Sequence, residues 1–122
     1  MTKERIETGR LGEDAACVFL AKNGYTVLQR NFRTSLGEID IIAQEKDVLC
    51  FIEVKTRTRG SYGAPQEAVD SRKQRQIAKV ALLYLKTKHL LDHNARFDVV
   101  WVMRSQDPPE IGVIKNAFEL PC

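Results

Sequence analysis

No stretch of this 122-residue chain comes near the roughly 20 consecutive apolar residues needed to cross a bilayer. Its opening residues, Thr2, Lys3, Glu4 and Arg5, are too polar for a signal peptide, so a cytoplasmic location is expected. Cysteine is scarce. Cys17, Cys50 and Cys122 are too few and too widely spaced for a disulfide framework or a zinc pattern, and the first two read as small apolar core residues in a reducing compartment. Internal repeats and low-complexity segments are missing as well, which sets aside solenoids and disordered arrays. His89 and His93 stand four apart, a spacing that suits a metal on a helix, but no third ligand accompanies them and zinc is not expected.

What is present is a composition of 43% hydrophobic and 29% charged residues, ordinary for a soluble globular protein. The length suits one domain over residues 1–122 with a single hydrophobic core. A net charge of +3 says little until its distribution is seen. Between Lys55 and Lys79 lie seven basic residues (Lys55, Arg57, Arg59, Arg72, Lys73, Arg75, Lys79) against two acidic ones (Glu67, Asp70), a local balance of +5. That asymmetry suits a polyanion approaching from one side; a solvated helix face followed by a basic loop would carry the same charge.

The chain is organised around residues 37–57, GEIDIIAQEKDVLCFIEVKTR. Two apolar, β-branched runs, 39–43 and 48–54, flank the polar Glu45-Lys46-Asp47 segment and predict a β-hairpin. Asp40, Glu53 and Lys55 interrupt those runs, and side-chain alternation decides whether they meet. If Glu45 faces Val48 across a Lys46-Asp47 turn, Asp40 faces Glu53, with Lys55 on the same face as Glu53. A slip of one residue would put the two carboxylates on opposite faces. Two carboxylates buried together cost several kcal/mol unless compensated. Lys55 can neutralise one, and the other needs a cation, for which a hard divalent ion suits an all-oxygen site. Such a site with a lysine beside it can activate water against a phosphodiester; the plain alternative is an ion pair on a solvated sheet face.

Around the hairpin the periodicities predict a helix over 8–23, with Leu11, Ala15 and Val18 and also Ala16, Phe19 and Leu20 at helical spacing, closed by Gly24. Glu13 aligns with Ala16 and Leu20 and so sits at the margin of the core-facing stripe. Residues 25–33 read as a strand, from whose end Arg30 and Arg33 are placed either to contact phosphate or to pair with Glu38. Residues 58–65, with Gly60, Tyr62 and Gly63, read as a mobile loop whose Arg57, Arg59 and Tyr62 offer phosphate-binding and base-stacking groups. Ser71 to Gln74 has the form of a capping box opening a second helix over about 72–88. Its first turn gathers Lys73, Arg75 and free N–H groups into an anion site, with Gln66 upstream in reach of a phosphate or a metal-bound water. Residues 97–103 predict a central strand buried on both faces, with Asp98 structural and paired with Arg96 or another buried donor. Residues 111–114 predict a last short strand.

These residues resemble a family. Asp40, then Glu53-Val54-Lys55, looks like the D-x(n)-E-x-K signature of the PD-(D/E)XK nuclease superfamily, with Ile39 where the proline often stands. GEIDII and FIEVKTR, together with Arg30-Asn31-Phe32-Arg33, Lys73-Gln74 and Arg96-Phe97-Asp98-Val99-Val100, are closer to the bacterial YraN-like proteins, which are similar to archaeal Holliday-junction resolvases. The resemblance implies an α/β, restriction-endonuclease-like three-layer fold, a mixed central sheet flanked by helices in the order α-β-β-β-α-β-β. It implies a Mg2+-dependent DNA endonuclease, with Mn2+ as substitute. Asp40, Glu53 and the Val54 carbonyl would hold the ion, Lys55 would orient the attacking water, and Glu13 or Glu38 would add an outer ligand. Arg57, Arg59, Gln66, Lys73 and Arg75 would bind nucleic acid. Branched or junction DNA, cut by a homodimer joined along 111–118, is the further expectation. A nucleic-acid-binding module of the same fold without turnover is the alternative.

Overall fold

The computed structural model describes residues 3–57, 69–104 and 107–119, with the side chains of the first helix described from Leu11 onward. The order is α1 (Lys3–Lys22), β1 (Tyr25–Thr34), β2 (Gly37–Glu45), β3 (Val48–Arg57), α2 (Ser71–Thr87), β4 (Ala95–Met103) and β5 (Glu110–Phe118). The five strands form one sheet in sequential order, β1-β2-β3-β4-β5. Pairing is antiparallel except for β3 with β4, the parallel step that α2 bridges. This is the mixed sheet flanked by helices, in the element order, that the motifs implied.

Each helix covers one face. On one side Ile77, Ala78, Val80, Ala81, Tyr84 and Leu85 of α2 pack with Ile39, Ile42, Leu49, Phe51, Phe97 and Val99. Tyr84 meets Phe32 and Phe51 edge-on, at centroid distances of 5.3 and 5.8 Å, the geometry aromatic quadrupoles favour. On the other side Ala16 and Leu20 of α1 pack with Tyr25, Ile41, Ala43, Cys50, Ile52, Val100 and Val102. With β3 and β4 covered on both faces, their near-continuous apolar runs are accounted for.

Several local expectations are corrected. α1 begins at Lys3, and its buried line is Gly12, Ala16 and Leu20 rather than a stripe including Leu11 and Val18, which are 52% and 55% exposed. The reason is close approach: a side chain at Gly12 would overlap the Thr56 hydroxyl of β3, so α1 meets the sheet along this narrow small-residue edge. α2 is capped by Asp70, not Ser71; the Asp70 carboxylate accepts the Lys73 N–H at 2.8 Å, while Gln74 Nε2 turns back to the Val69 carbonyl. Aspartate caps as well as serine does and adds favourable charge at the helix N-terminus. The register of β1 on β2 shifts between Val27 and Gln29, and β5 runs nine residues instead of four. His89 and His93 lie beyond the end of α2 and are exposed, so their spacing is not helical.

Asp98 is structural in the way its setting suggested. Fully buried, it accepts from Arg96 Nε at 3.0 and 3.1 Å, from the Tyr25 hydroxyl at 3.0 Å and from the Asn116 N–H at 2.9 Å. Arg96 reaches on to Glu45 at 2.7 Å, which Lys115 also holds. The buried carboxylate is thus hydrogen-bonded on both oxygens, as burial demands.

Candidate active site

The hairpin register follows from its turn. Lys46 takes the left-handed conformation with φ 55°, and Glu45 faces Val48, followed by Gln44 with Leu49 and on to Ile41 with Ile52. There the ladder stops. Ile39 belongs to the α2-side core and Ile41 to the α1-side core, although residues two apart in a regular strand share a face. β2 therefore breaks its alternation at Asp40. The Asp40 carboxylate takes over where the backbone ladder ends, accepting the Val54 N–H at 2.8 Å. In an extended strand the C=O and N–H of one residue face the same neighbour, so the Val54 carbonyl is also turned toward the β2 side.

Glu53 follows in β3, 7% exposed, and two ammonium groups share its Oε1: Lys55 Nζ at 3.6 Å and Lys73 Nζ at 3.8 Å. Among the described residues Asp40 has no ion-pair partner of its own. Withdrawal from water and the neighbouring Glu53 charge push its carboxyl from the ordinary 3.8 up to about 7, against the opposing pull of the Val54 N–H, with Glu13 and Glu38 adding to the rise. Burial likewise raises Glu53, with Lys73 and Lys55 pulling it back. The result is a carboxylate pair with positive charge on one member only.

Asp40, Glu53, Lys55 and Lys73 are thus brought together. Glu13 and Glu38 flank them, close enough to bear on the Asp40 charge, and each faces an arginine. Arg30 lies 3.6 Å from Glu13 and 2.7 Å from Asp14, and Arg33 lies 3.0 Å from Glu38. Of the two placements open to those arginines, Arg33 takes the pairing with Glu38, while Arg30 takes neither and pairs with α1. Arg57 ends β3, its carbonyl accepting the Arg104 N–H at 2.9 Å. Arg59, Gln66 and the loop 58–65 lie outside the described residues. Arg75 lines an open cleft of about 590 Å³ between the β1–β2 turn (Ser35, Leu36) and α2, where Arg72, Lys73 and Lys79 also lie.

Two placements were not foreseen from sequence. Lys73, expected only as a phosphate contact, reaches Glu53; its position three residues after a helix-capping aspartate was the available signal. Trp101, expected within a strand buried on both faces, is half-buried between Lys55 on β3 and Gly112 on β5, its indole lying where a side chain at Gly112 would be.

The donor set available to a cation is two carboxylates and a backbone carbonyl. Among the described residues no third His, Cys, Asp or Glu joins them at ligand spacing. Mg2+ commonly takes one or two protein carboxylates and fills the remaining positions with water and substrate phosphate, so this set fits it, whereas a dedicated all-protein cage is not formed.

Comparison with known proteins places the chain. The family model described as "Uncharacterised protein family UPF0102" matches residues 12–102. The chain belongs to the UPF0102 family. This is the YraN-like group that its motifs resemble. It is 48% identical over 117 residues to a UPF0102 protein of Syntrophus aciditrophicus, covering 96% of this chain and 92% of that one. A UPF0102 protein of Geobacter metallireducens is 51% identical over 120 residues, 98% of both chains. Among solved structures, Pyrococcus furiosus SfsA in complex with Ca2+ aligns at a TM-score of 0.45 and 13% identity, over 88% of this chain and 62% of that one. Between Leu11 and Thr87 the described UPF0102 chain holds every carboxylate and lysine of the candidate site. No described helix is long and apolar enough to cross a membrane.

Proposed function

We propose that this UPF0102 protein is a divalent-cation-dependent nuclease of the PD-(D/E)XK type that hydrolyses phosphodiester bonds in DNA, with branched DNA as its preferred form. The observation that carries this reading is the convergence of the Asp40 and Glu53 carboxylates beside Lys55, with no ion-pair partner for Asp40 among the described residues. Such a pair is costly to keep for stability alone, and a divalent cation would offset it. Asp40, Glu53 and the Val54 carbonyl would hold Mg2+. When bound, the cation supplies Lewis-acid polarisation of a phosphoryl oxygen and lowers the pKa of water.

This chain's own residues supply position and charge. Lys55, anchored two residues from Glu53 on the same face, orients the attacking water and offsets negative charge growing on the scissile phosphate. The basic cleft along α2 aligns the polyanion by its phosphates, whose contacts fix register without reading sequence. Most of the rate then comes from alignment and fixed charge, as in phosphoryl transfer generally. The test is cleavage of a labelled branched DNA beside matched linear duplex, with Mg2+ and with EDTA, by protein freed of contaminating nuclease. Asp40→Asn and Glu53→Gln each keep shape and remove charge, and each is expected to abolish Mg2+-dependent cutting. Undiminished cutting by Asp40→Asn rejects the assignment.

A further inference from the structure

Two ammonium groups share one oxygen of Glu53, so a divalent cation arriving at that carboxylate meets positive charge already in place. Lys55 and Lys73 both lie within 3.8 Å of Glu53 Oε1. A divalent ion shared by Asp40 and Glu53 would bring its two charges to the same carboxylate pair, and with both lysines retained the positive charge around the pair would be twice the negative. In a partly dehydrated site that repulsion is far stronger than in water, and departure of one lysine relieves it. Lys55 is held on the strand itself, two residues from Glu53, and its side chain is 23% exposed. Lys73 comes from the first turn of α2, is 32% exposed, and has its backbone fixed by Asp70 while its side chain remains free to turn. It also borders the cleft in which Arg72, Arg75 and Lys79 already gather. Lys73 therefore has somewhere to go.

We propose that Lys73 is an exchangeable counter-ion: it neutralises Glu53 when no divalent cation is held there, and turns to a nucleic-acid phosphate in the adjoining cleft when one is. The proposal rests on the reading of Asp40 and Glu53 as a divalent-cation site. Its consequence is that cation and nucleic acid strengthen each other's binding through this one side chain, by the same factor in each direction. Lys73 is here a positioning residue, acting by moving charge between two sites.

The experiment uses the full chain, with Ca2+ binding followed by calorimetry and labelled-oligonucleotide binding followed by fluorescence anisotropy, with and without saturating Ca2+. Asp40→Asn protein gives the general effect of Ca2+ on the oligonucleotide. For the wild type, Ca2+ is expected to tighten oligonucleotide binding about tenfold over that baseline, within the usual range of coupling. Lys73→Gln removes the competitor for Glu53, so its Ca2+ affinity rises several-fold. Whatever its Ca2+-free oligonucleotide affinity, the tightening produced by Ca2+, read as the ratio of the two affinities, falls to about twofold. Lys73→Arg restores the tightening, and Arg75→Gln weakens oligonucleotide binding alike with and without Ca2+. Equal tightening in wild type and Lys73→Gln overturns the exchange while leaving the cation site standing. Failure of the wild type to bind Ca2+ appears in the calorimetry before any oligonucleotide is added, and overturns the exchange together with the reading beneath it.

Discussion

Asp40→Asn is expected to make the cation-free protein more stable, and only at neutral to alkaline pH. Burial, and then the Glu53 charge, push the folded Asp40 carboxyl up to about 7 from an ordinary value of 3.8. Because the folded value is the higher one, the folded state binds the extra proton between those limits. Stability contributed by this group is therefore fully present below about pH 4, falls as pH rises, and is lost above about pH 7. A shift of this size corresponds to a ceiling of about 4 kcal/mol at roughly 1.4 kcal/mol per unit. Two effects reduce it. Asp40 is not fully buried, so water screens part of the repulsion, and asparagine gives the Val54 N–H a neutral acceptor in place of a charged one, worth about 1 kcal/mol less. A gain of about 2 kcal/mol at pH 8 remains.

The assay is urea unfolding in EDTA, read by the fluorescence of Trp101, the chain's single tryptophan, at pH 5 and pH 8. The stability difference between Asp40→Asn and wild type is expected to widen by about 1–2 kcal/mol from the lower pH to the higher. Adding Ca2+ at pH 8 reverses the order, because a ligand stabilises only the state that binds it. If the variant loses stability equally at both pH values, Asp40 is an ordinary paired carboxylate and the argument for an uncompensated pair fails.

Other outcomes follow from the same geometry. Lys55→Ala is expected to lose most cleavage yet keep Ca2+ binding by calorimetry, since the lysine supplies no oxygen. Replacing Arg57, Arg59, Lys73 and Arg75 together is expected to flatten the dependence of log K for DNA on log[salt] by roughly 0.9 for each phosphate no longer neutralised; an unchanged slope marks the patch as a solvated face. Asp98→Ala leaves Arg96 without the carboxylate it shares with Tyr25, and chemical denaturation is expected to show a loss of about 3–5 kcal/mol. β5 is an edge of the sheet and a natural seam for a second copy. Sedimentation at micromolar concentration, with and without a synthetic four-way junction, is expected to show a dimer; a monomer throughout, with no preference for the junction over duplex, rejects that assembly and leaves the carboxylate pair untouched.

The hairpin was legible because its information is local. Lys46-Asp47 sets the turn, and the turn sets the register as far as Ile41 and Ile52; the expected facing pair of Asp40 with Glu53 does not form, because the alternation breaks at Asp40 and its carboxylate meets the Val54 N–H instead. Sequence order and apolar periodicity likewise sufficed for the number and order of strands and helices, though not for the bounds of α1 and β5. What escaped depended on contacts distant in sequence. The buried edge of α1 could not be told from its other apolar positions until Thr56 was seen against Gly12, because Leu11 and Val18 satisfy the same period from the wrong side. The choice of Asp70 over Ser71 as cap turned on one residue of chain path, where both side chains are competent. Arg30 was assigned only when α1 was seen to bring Glu13 and Asp14 beside β1.

The break in β2 explains why the site lies where it does. A hairpin that stayed paired beyond Ile41 and Ile52 would spend the Val54 N–H and carbonyl on β2, leaving Asp40 as one more side chain on a sheet face. Because the ladder ends there, the Asp40 carboxylate comes down to the backbone of β3 and the Val54 carbonyl is left facing the same opening. Glu53 enters from the adjacent position of the same strand, and α2, part of the crossover that the parallel β3–β4 step requires, delivers Lys73 to it. The hairpin, its interruption and the crossover helix each contribute one kind of group: oxygen donors from the strands, a fixed cation in Lys55, a movable one in Lys73. A change that restored β2–β3 pairing at residues 39–40 would therefore dismantle the site without removing any of its side chains.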